Sequence, residues 1–156
     1  MKRFLNPLIG ALVGTCIAWL VIPRVETLIH LSIPVGRWFE VDSVAVADAR
    51  TGESNRVVLK RAINRPFSAT WTVTLMRLTR DGFAHFCSRH GQNDYRPEAV
   101  LPPYTDIDWW MNVPANPTCG RLPPGRYVLN IVWRVSVPGL QGKEVRVQSN
   151  DFEVLP

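Results

Sequence analysis

Phe67-Ser-Ala-Thr-Trp-Thr-Val-Thr-Leu-Met-Arg-Leu78 alternates between apolar and hydroxyl-bearing side chains over most of its length. Successive side chains of a strand point to opposite faces, so the apolar and polar positions separate onto two sides. This period of two, with β-branched threonines on the polar side, predicts a strand with one buried and one solvated face. Thr79-Arg-Asp-Gly82 is a turn signal that ends it. The apolar face carries Phe67, Ala69, Trp71, Val73 and Leu75.

A second alternating segment covers residues 126–137, and the remaining strands are shorter. They are predicted over 39–47, 56–63 and 83–88, with a last strand over 144–154 that contains a bulge or a register shift at Asn150-Asp151. The 13 prolines and 10 glycines favour many turns over long helices. An all-β fold follows. The inward positions of the second segment are Tyr127, Leu129, Ile131, Trp133, Val135 and Val137.

Leu122-Pro-Pro-Gly-Arg-Tyr127, followed by apolar residues at every second position, resembles a corner of immunoglobulin-like and fibronectin type III domains. The resemblance covers residues 122–154. It implies an antiparallel immunoglobulin-like β-sandwich in which the Tyr127 hydroxyl bonds back to the backbone. A looser likeness to copper-resistance periplasmic sandwiches rests on the same Pro-Gly-x-Tyr and on Trp133-Arg-Val-Ser136. The histidines of those proteins are missing here, so no copper function is implied.

Residues 4–22, from Phe4 to Ile22, form an uncharged and mostly apolar run. As a helix at about 1.5 Å per residue they extend about 28 Å, close to the ~30 Å hydrocarbon core of a bilayer. Residues 1–23 therefore predict an uncleaved signal anchor with one transmembrane helix. A cleaved signal peptide and a lipoprotein signal ending at Cys16 are alternatives. Both are disfavoured because the apolar run continues beyond Cys16 without a polar exit.

Lys2 and Arg3 precede the run, whereas only Arg24 follows it closely and is offset by Glu26. This bias predicts an amino terminus in the cytoplasm and a carboxyl-terminal domain on the periplasmic side of the inner membrane.

Gly10 and Gly14 lie four residues apart inside the run. Such a pair permits close approach of two helices, so a homodimer through this face is a further possibility.

The rest of the chain divides into a helical or extended juxtamembrane linker over 24–37 and a single domain over 38–156. Within the domain, residues 89–122 hold five prolines and little periodicity, which predicts a long loop. Cys87 and Cys119 lie near its two ends. In an exported domain they are expected to form a disulfide, because that compartment is oxidising.

A metal site and free thiols are the alternatives for these cysteines. His85 and His90 lie close to Cys87, and the two histidines with both cysteines would satisfy tetrahedral zinc. The spacing matches no standard zinc motif. The disulfide is the favoured interpretation.

The predicted loop contains a cluster of large side chains: Tyr104, Trp109, Trp110 and Met111. One indole could fill the core while the other is exposed as an anchor for a partner, a glycan or the membrane surface. Alternatively both tryptophans form a small core beneath the loop. The second interpretation is favoured, because satellite clusters under long loops are usual.

The charge of the exported part argues against nucleic acid. Three of the 18 basic residues and one of the 13 acidic residues precede Ser32, which leaves +3 on the remainder. The arginines are scattered rather than gathered in a stripe.

Motifs for phosphate binding, for nucleophilic hydrolysis and for zinc proteases are absent from the sequence. Asp106 and Asp108 are interpreted as turn and capping groups. We therefore expect no enzyme activity, no cofactor and no metal.

The expected function is a non-enzymatic, single-pass interaction module of a cell-envelope assembly. It would bind a protein partner through residues 89–122 and through sheet edges. The alternative is a carbohydrate- or cell-wall-binding module in which Tyr104, Trp109 and Trp110 form a stacking platform.

Overall fold

The computed structural model describes residues 32–100, 102, 104–111, 119, 121–137 and 140–156, together with Trp19 and Val25. The chain divides into two units, Met1–Pro34 and Val35–Pro156. The first unit contains the predicted anchor, and Phe4, Gly10, Gly14 and Ile22 lie outside the described residues. Within the described part, no helix combines the length and the apolar character needed to cross a bilayer.

The second unit is all-β, as the alternating patterns predict. It opens with a 3-10 helix, Val35–Arg37, and its one described α-helix, α1, is Ile107–Met111. The described strands are β1 (Phe39–Val46), β2 (Ala49–Arg50), β3 (Arg56–Ile63), β4 (Phe67–Thr79), β5 (Gly82–Tyr95), β6 (Thr105–Asp106), β7 (Gly125–Val137), β8 (Leu140–Gln148) and β9 (Phe152–Leu155).

The strands form two sheets. The first sheet has the order β1-β3-β6, and the second has the order β2-β9-β7-β4-β5, with β8 also pairing with β7. β2 runs parallel to β9, whereas the other described pairs are antiparallel. Apolar residues of both sheets belong to one buried cluster, an arrangement compatible with a β-sandwich.

β4 and β7 are the central strands, and the inward faces predicted for them are confirmed. In their ladder Leu75 lies opposite Leu129 and Val73 lies opposite Ile131, and all four side chains are buried. Burial of one such side chain contributes about 1.5–3 kcal/mol, so this pairing is a main source of stability. Trp71 belongs to the same face but is only partly buried.

The predicted strand 83–88 is too short, and the predicted loop 89–122 begins too early. β5 continues to Tyr95 and pairs with β4 along its whole length, from Gly82 opposite Thr79 to Tyr95 opposite Phe67. Residues 89–95 are mostly polar and carry no apolar alternation. They still form a strand because backbone pairing with β4 holds them at the edge of the sheet, where polar side chains reach solvent.

The last predicted strand, residues 144–154, is divided at the predicted irregularity near Asn150, because β8 ends at Gln148 and β9 begins at Phe152. Gln148 pairs with Asn130, and Phe152 pairs with Tyr127. Three residues lie between Gln148 and Phe152, whereas only two lie between Tyr127 and Asn130 on β7. The extra residue forms a bulge. The Asn150 side chain accepts a hydrogen bond from the Val46 N–H at 2.9 Å and donates one to the Val46 carbonyl at 3.0 Å. The bulge therefore ties the second sheet to β1 of the first.

Tyr127 begins the buried run of β7. Its hydroxyl donates a hydrogen bond to the Pro123 carbonyl at 2.7 Å. The ring packs against Phe86 and Phe152, with centroid separations of 5.7 and 5.8 Å. The bond from this hydroxyl back to the backbone, which the resemblance implies, is thus present.

Candidate binding cleft

The two cysteines of the domain form a disulfide, as predicted, with an S–S distance of 2.09 Å. The zinc alternative is wrong because both thiols are consumed in this bond. His90 lies opposite Thr72 on the solvated face of the second sheet, and His85 is also exposed. No group of three or more potential metal ligands occurs among the described residues.

A cleft of about 450 Å³ opens between β3 of the first sheet and β4, β5 and β7 of the second. The segment that contains β6 and α1 closes part of it. This volume falls in the range of small-ligand and side-chain pockets. The lining residues are Val57, Leu59, Arg61, Trp71, Val73, Asn93, Tyr95, Pro102, Tyr104, Thr105, Asp106, Trp109, Trp110, Ile131 and Trp133.

One wall of the cleft is the Trp71 indole, which lies over Gly91 of β5. Gly91 is the residue directly opposite Trp71 in the ladder. A Cβ atom at position 91 would overlap the indole ring. The indole N–H donates a hydrogen bond to Asn93 Oδ1 at 2.8 Å. Glycine at position 91 therefore allows the ring to lie across the strand and present one face to the cleft.

A cluster of aromatic rings stabilises one end of the cleft. Tyr95 stacks on Phe67 with centroids 4.8 Å apart, and Phe39 lies 5.2 Å from both Phe67 and Trp133. Burial raises the pKa of the Tyr95 hydroxyl, while the Trp133 indole and the Arg61 charge act to lower it. The end of the cleft is therefore a closely packed group of rings.

Arg61 brings a positive charge into these aromatic surroundings. Its guanidinium lies 5.8 Å from the Tyr95 ring centroid. Burial lowers the pKa of Arg61, with the Tyr95 hydroxyl acting in the opposite direction. None of the ion pairs found among the described residues includes Arg61. Arginine remains protonated even when partly buried, so the cleft contains a cation that no described carboxylate pairs with directly, although Asp106 also lines the cleft.

Hydrogen bonds and a cation–π contact position the mouth of the cleft. Arg89 on the inward face of β5 donates to the carbonyl oxygens of Trp109 and Trp110, at 3.1 and 3.3 Å. The guanidinium of Arg56 lies 4.2 Å from the centroid of the Tyr104 ring. These contacts fix the backbone of α1 and the Tyr104 ring relative to the two sheets.

The four residues predicted to contact a partner differ in their exposure to solvent. Met111 is fully buried and Trp110 is 7% exposed, so both serve as core contacts of α1. Trp109 is 64% exposed and Tyr104 is 45% exposed. The interpretation that both indoles form a small core is therefore wrong for Trp109. Tyr104 and Trp109 are the two members of the set that a partner can reach, and binding by them stays a prediction.

Sequence reasoning missed Arg61, although a signal for it exists. In residues 56–63 the positions 57, 59, 61 and 63 share one face, and three of them are apolar. An arginine at an inward position of such a strand needs a special environment. That observation alone would have singled out Arg61 as a candidate site residue.

The two aspartates of this segment have different surroundings. Asp106 lies in β6 opposite Arg56 and lines the cleft, whereas Asp108 lies in the first turn of α1. Burial raises the pKa of Asp108. An acidic residue in a first helical turn is favourably placed relative to the helix dipole. No capping hydrogen bond of Asp108 is described, and its buried Oδ1 has no hydrogen-bond partner among the described residues, so the capping role stays a prediction.

Taken together, the lining is apolar and aromatic at eleven of its fifteen positions, with few polar groups. Such a lining is typical of a binding pocket, in which apolar walls supply affinity and a few polar groups supply orientation. No model of a known protein family matches this chain, and no curated protein matches it.

Proposed function

We propose that the protein is a membrane-anchored, non-enzymatic interaction module that binds a protein partner of a cell-envelope assembly at the mouth of the aromatic cleft. The contact residues are Trp109 and Tyr104. The domain is an immunoglobulin-like sandwich exported to the periplasmic side of the inner membrane. The hydrogen bond from Tyr127 to the Pro123 carbonyl supports that fold type.

The exposure of Trp109 is the observation on which the proposal depends. Burial of a large apolar side chain is favourable, and an exposed tryptophan does not gain that free energy. In this domain 64% of Trp109 is exposed. Tryptophan, tyrosine and arginine are the residues most often found at the energetic centres of protein interfaces. Trp109, Tyr104 and Arg61 supply all three types around one cleft.

The location of the domain is supported by two independent features. Lys2 and Arg3 before the apolar run favour export of everything that follows it. The Cys87–Cys119 disulfide is the form expected in an oxidising compartment. This location is tested by introducing a cysteine on the domain surface and labelling it with a thiol reagent that does not cross the inner membrane, in intact spheroplasts and in lysed cells. A cysteine that is labelled only after lysis would contradict the periplasmic location.

Site-specific photocrosslinking in cells tests partner binding. A photoreactive amino acid at position 109 or 104 of the full chain should give a discrete crosslinked protein. The same amino acid at position 146, on the exposed surface of β8, should not. Trp109→Ala should reduce recovery of that partner by about tenfold or more, because hot-spot truncation typically costs about 2 kcal/mol.

Phe83→Ala is the matched control, since Phe83 is another exposed aromatic residue and does not line the cleft. Equal crosslinking at all three positions, or equal loss of partner in both alanine variants, would refute the proposal.

A carbohydrate- or cell-wall-binding module is the second candidate. It is favoured by the exposure of Trp109 and Tyr104 beside the same cleft, since sugar rings stack on such surfaces. Titration of the full chain with cell-wall oligosaccharides, followed by tryptophan fluorescence, distinguishes the two functions. Saturable binding that is lost in Trp109→Ala, without any protein crosslink, would favour the carbohydrate.

A further inference from the structure

We infer that the cleft binds an acidic segment of the protein partner, which inserts an apolar side chain between the sheets and places a neighbouring carboxylate on Arg61. This inference rests on the proposed function and specifies the chemistry of the partner. It follows from the charge of Arg61, from the apolar walls of the cleft and from the edge of β3 that no described strand covers.

Arg61 forms no ion pair within the described residues, and the one carboxylate of the cleft lining, Asp106, lies opposite Arg56 in the ladder. The ion pairs described in the domain join Arg126 to Asp151 and join Arg134 and Arg146 to Glu144, all on exposed surfaces. A guanidinium in an apolar environment gains most from a carboxylate that it can bind with two parallel N–H donors. A partner carboxylate would supply the missing group.

The strand that carries Arg61 has only one sign of charge. β3 contains Arg56, Lys60 and Arg61 and no acidic residue. None of these three side chains takes part in an ion pair of the described residues. Complementary charge steers association and disfavours basic partners, so this edge of the first sheet selects an acidic segment.

The walls of the cleft favour an apolar side chain over a sugar. A sugar carries a hydroxyl group on most of its carbons, and each buried hydroxyl needs a hydrogen-bond partner. Four of the fifteen lining side chains are polar, and one acceptor position of Asn93 Oδ1 is already used by the Trp71 indole N–H. An aliphatic or aromatic side chain fits between Trp71, Trp133 and Leu59 without that requirement.

Beyond β6, the edge of β3 has no partner strand among the described residues, and this favours an extended polypeptide. β6 pairs with β3 only at Arg56 and Val57. The backbone groups of the even-numbered residues of β3 point towards β1. Two bonds at the ends of the strand indicate this, one from the Ala47 N–H to the Arg56 carbonyl and one from the Asn64 N–H to the Trp38 carbonyl.

The backbone groups of Leu59 and Arg61 therefore point to the opposite side, where the described residues supply no further strand. Their side chains line the cleft. A bound segment could thus hydrogen-bond to the edge and insert side chains at the same positions, as in other cases of strand addition.

Two blocked dipeptides test the inference: acetyl-Phe-Asp-amide, which carries a carboxylate, and acetyl-Phe-Asn-amide, which is its neutral isostere. Each is titrated into the full chain in lipid nanodiscs, and binding is followed by calorimetry and by tryptophan fluorescence. We expect the aspartate peptide to bind at least about tenfold more tightly, as is typical for a charge-assisted hydrogen bond. Arg61→Gln should abolish the difference between the peptides.

Lys60→Gln is the matched control. It removes the same charge from the neighbouring residue of the same strand, whose side chain points away from the cleft. It should retain the preference for the aspartate peptide. Arg61→Lys keeps the charge but loses the two-pronged geometry, so an intermediate preference is expected. Near-ultraviolet circular dichroism checks that each variant is folded.

Equal binding of the two peptides to the unmodified chain would overturn the inference, whatever the variants do. Tighter binding of a glucuronate-containing disaccharide than of the aspartate peptide would also overturn it. If Trp109-dependent crosslinking persists in either case, the proposed function stands and only the acidic segment is excluded. If the crosslinking also fails, the proposed function fails with it.

Discussion

Tyr127→Phe removes one oxygen atom from the centre of the domain and should lower its stability measurably. The variant keeps the ring, so the contacts with Phe86, Phe152 and the Arg77 guanidinium are retained. It loses the hydrogen bond from the hydroxyl to the Pro123 carbonyl. The experiment therefore isolates the contribution of that bond.

The expected magnitude follows from burial. Tyr127 is fully buried whereas Pro123 is partly exposed, so the Pro123 carbonyl loses its described partner and water compensates for that loss only in part. A deleted hydrogen bond of this kind costs about 1–2 kcal/mol. For a unit of this size such a loss lowers Tm by about 3–8 °C.

Thermal unfolding of the full chain, followed by near-ultraviolet circular dichroism, measures the effect. Tyr104→Phe is the control, because the Tyr104 side chain is 45% exposed and no hydrogen bond of its hydroxyl is described. The control should change Tm by less than about 2 °C, as surface substitutions usually do. Equal and small shifts in both variants would refute the reasoning, since the buried bond would then contribute nothing.

Three further outcomes are expected. Replacing Cys87 and Cys119 by alanine opens a loop with a sequence separation of 32 and should cost about 3–4 kcal/mol, measured by urea unfolding with and without reductant. Gly91→Ala should lower Tm and shift tryptophan emission, because the new Cβ overlaps the indole across the ladder; unchanged emission would contradict this. Burial raises the pKa of Tyr95 and of Tyr127, so the unfolded chain releases these protons first. Stability should therefore be complete below pH of about 10 and fall above it, with a smaller fall in Tyr127→Phe.

The central strands were predictable because their burial is one-sided. β4 and β7 each have one buried and one wetter face, and the alternation of side chains records this directly. The bulge was predictable for a related reason, since two polar residues interrupt the apolar positions of residues 144–154. In each case the local sequence contains the physical cause of the structure.

The second half of β5 was not predictable in this way. Residues 89–95 lie in an edge strand whose partner is distant in sequence, and their side chains meet solvent on much of their surface. Their conformation is determined by the backbone groups of β4, which no local pattern records. The cleft was missed for the same reason, because its walls come from β3, β4, β5 and β7 together.

The contacts around Trp109 are those expected of a residue that is held in place to bind a partner. Trp110 and Met111 belong to the same helix as Trp109, and their side chains are buried. Arg89 donates hydrogen bonds to the carbonyl oxygens of both tryptophans. The backbone that carries the exposed indole is thus fixed before any partner arrives. An anchor held in this way loses little conformational freedom on binding, so more of its contact free energy appears as affinity. If Trp109 is the proposed anchor, the burial of Trp110 and Met111 contributes to binding indirectly. It holds the exposed indole at the mouth of a cleft whose arginine forms no ion pair within the described residues.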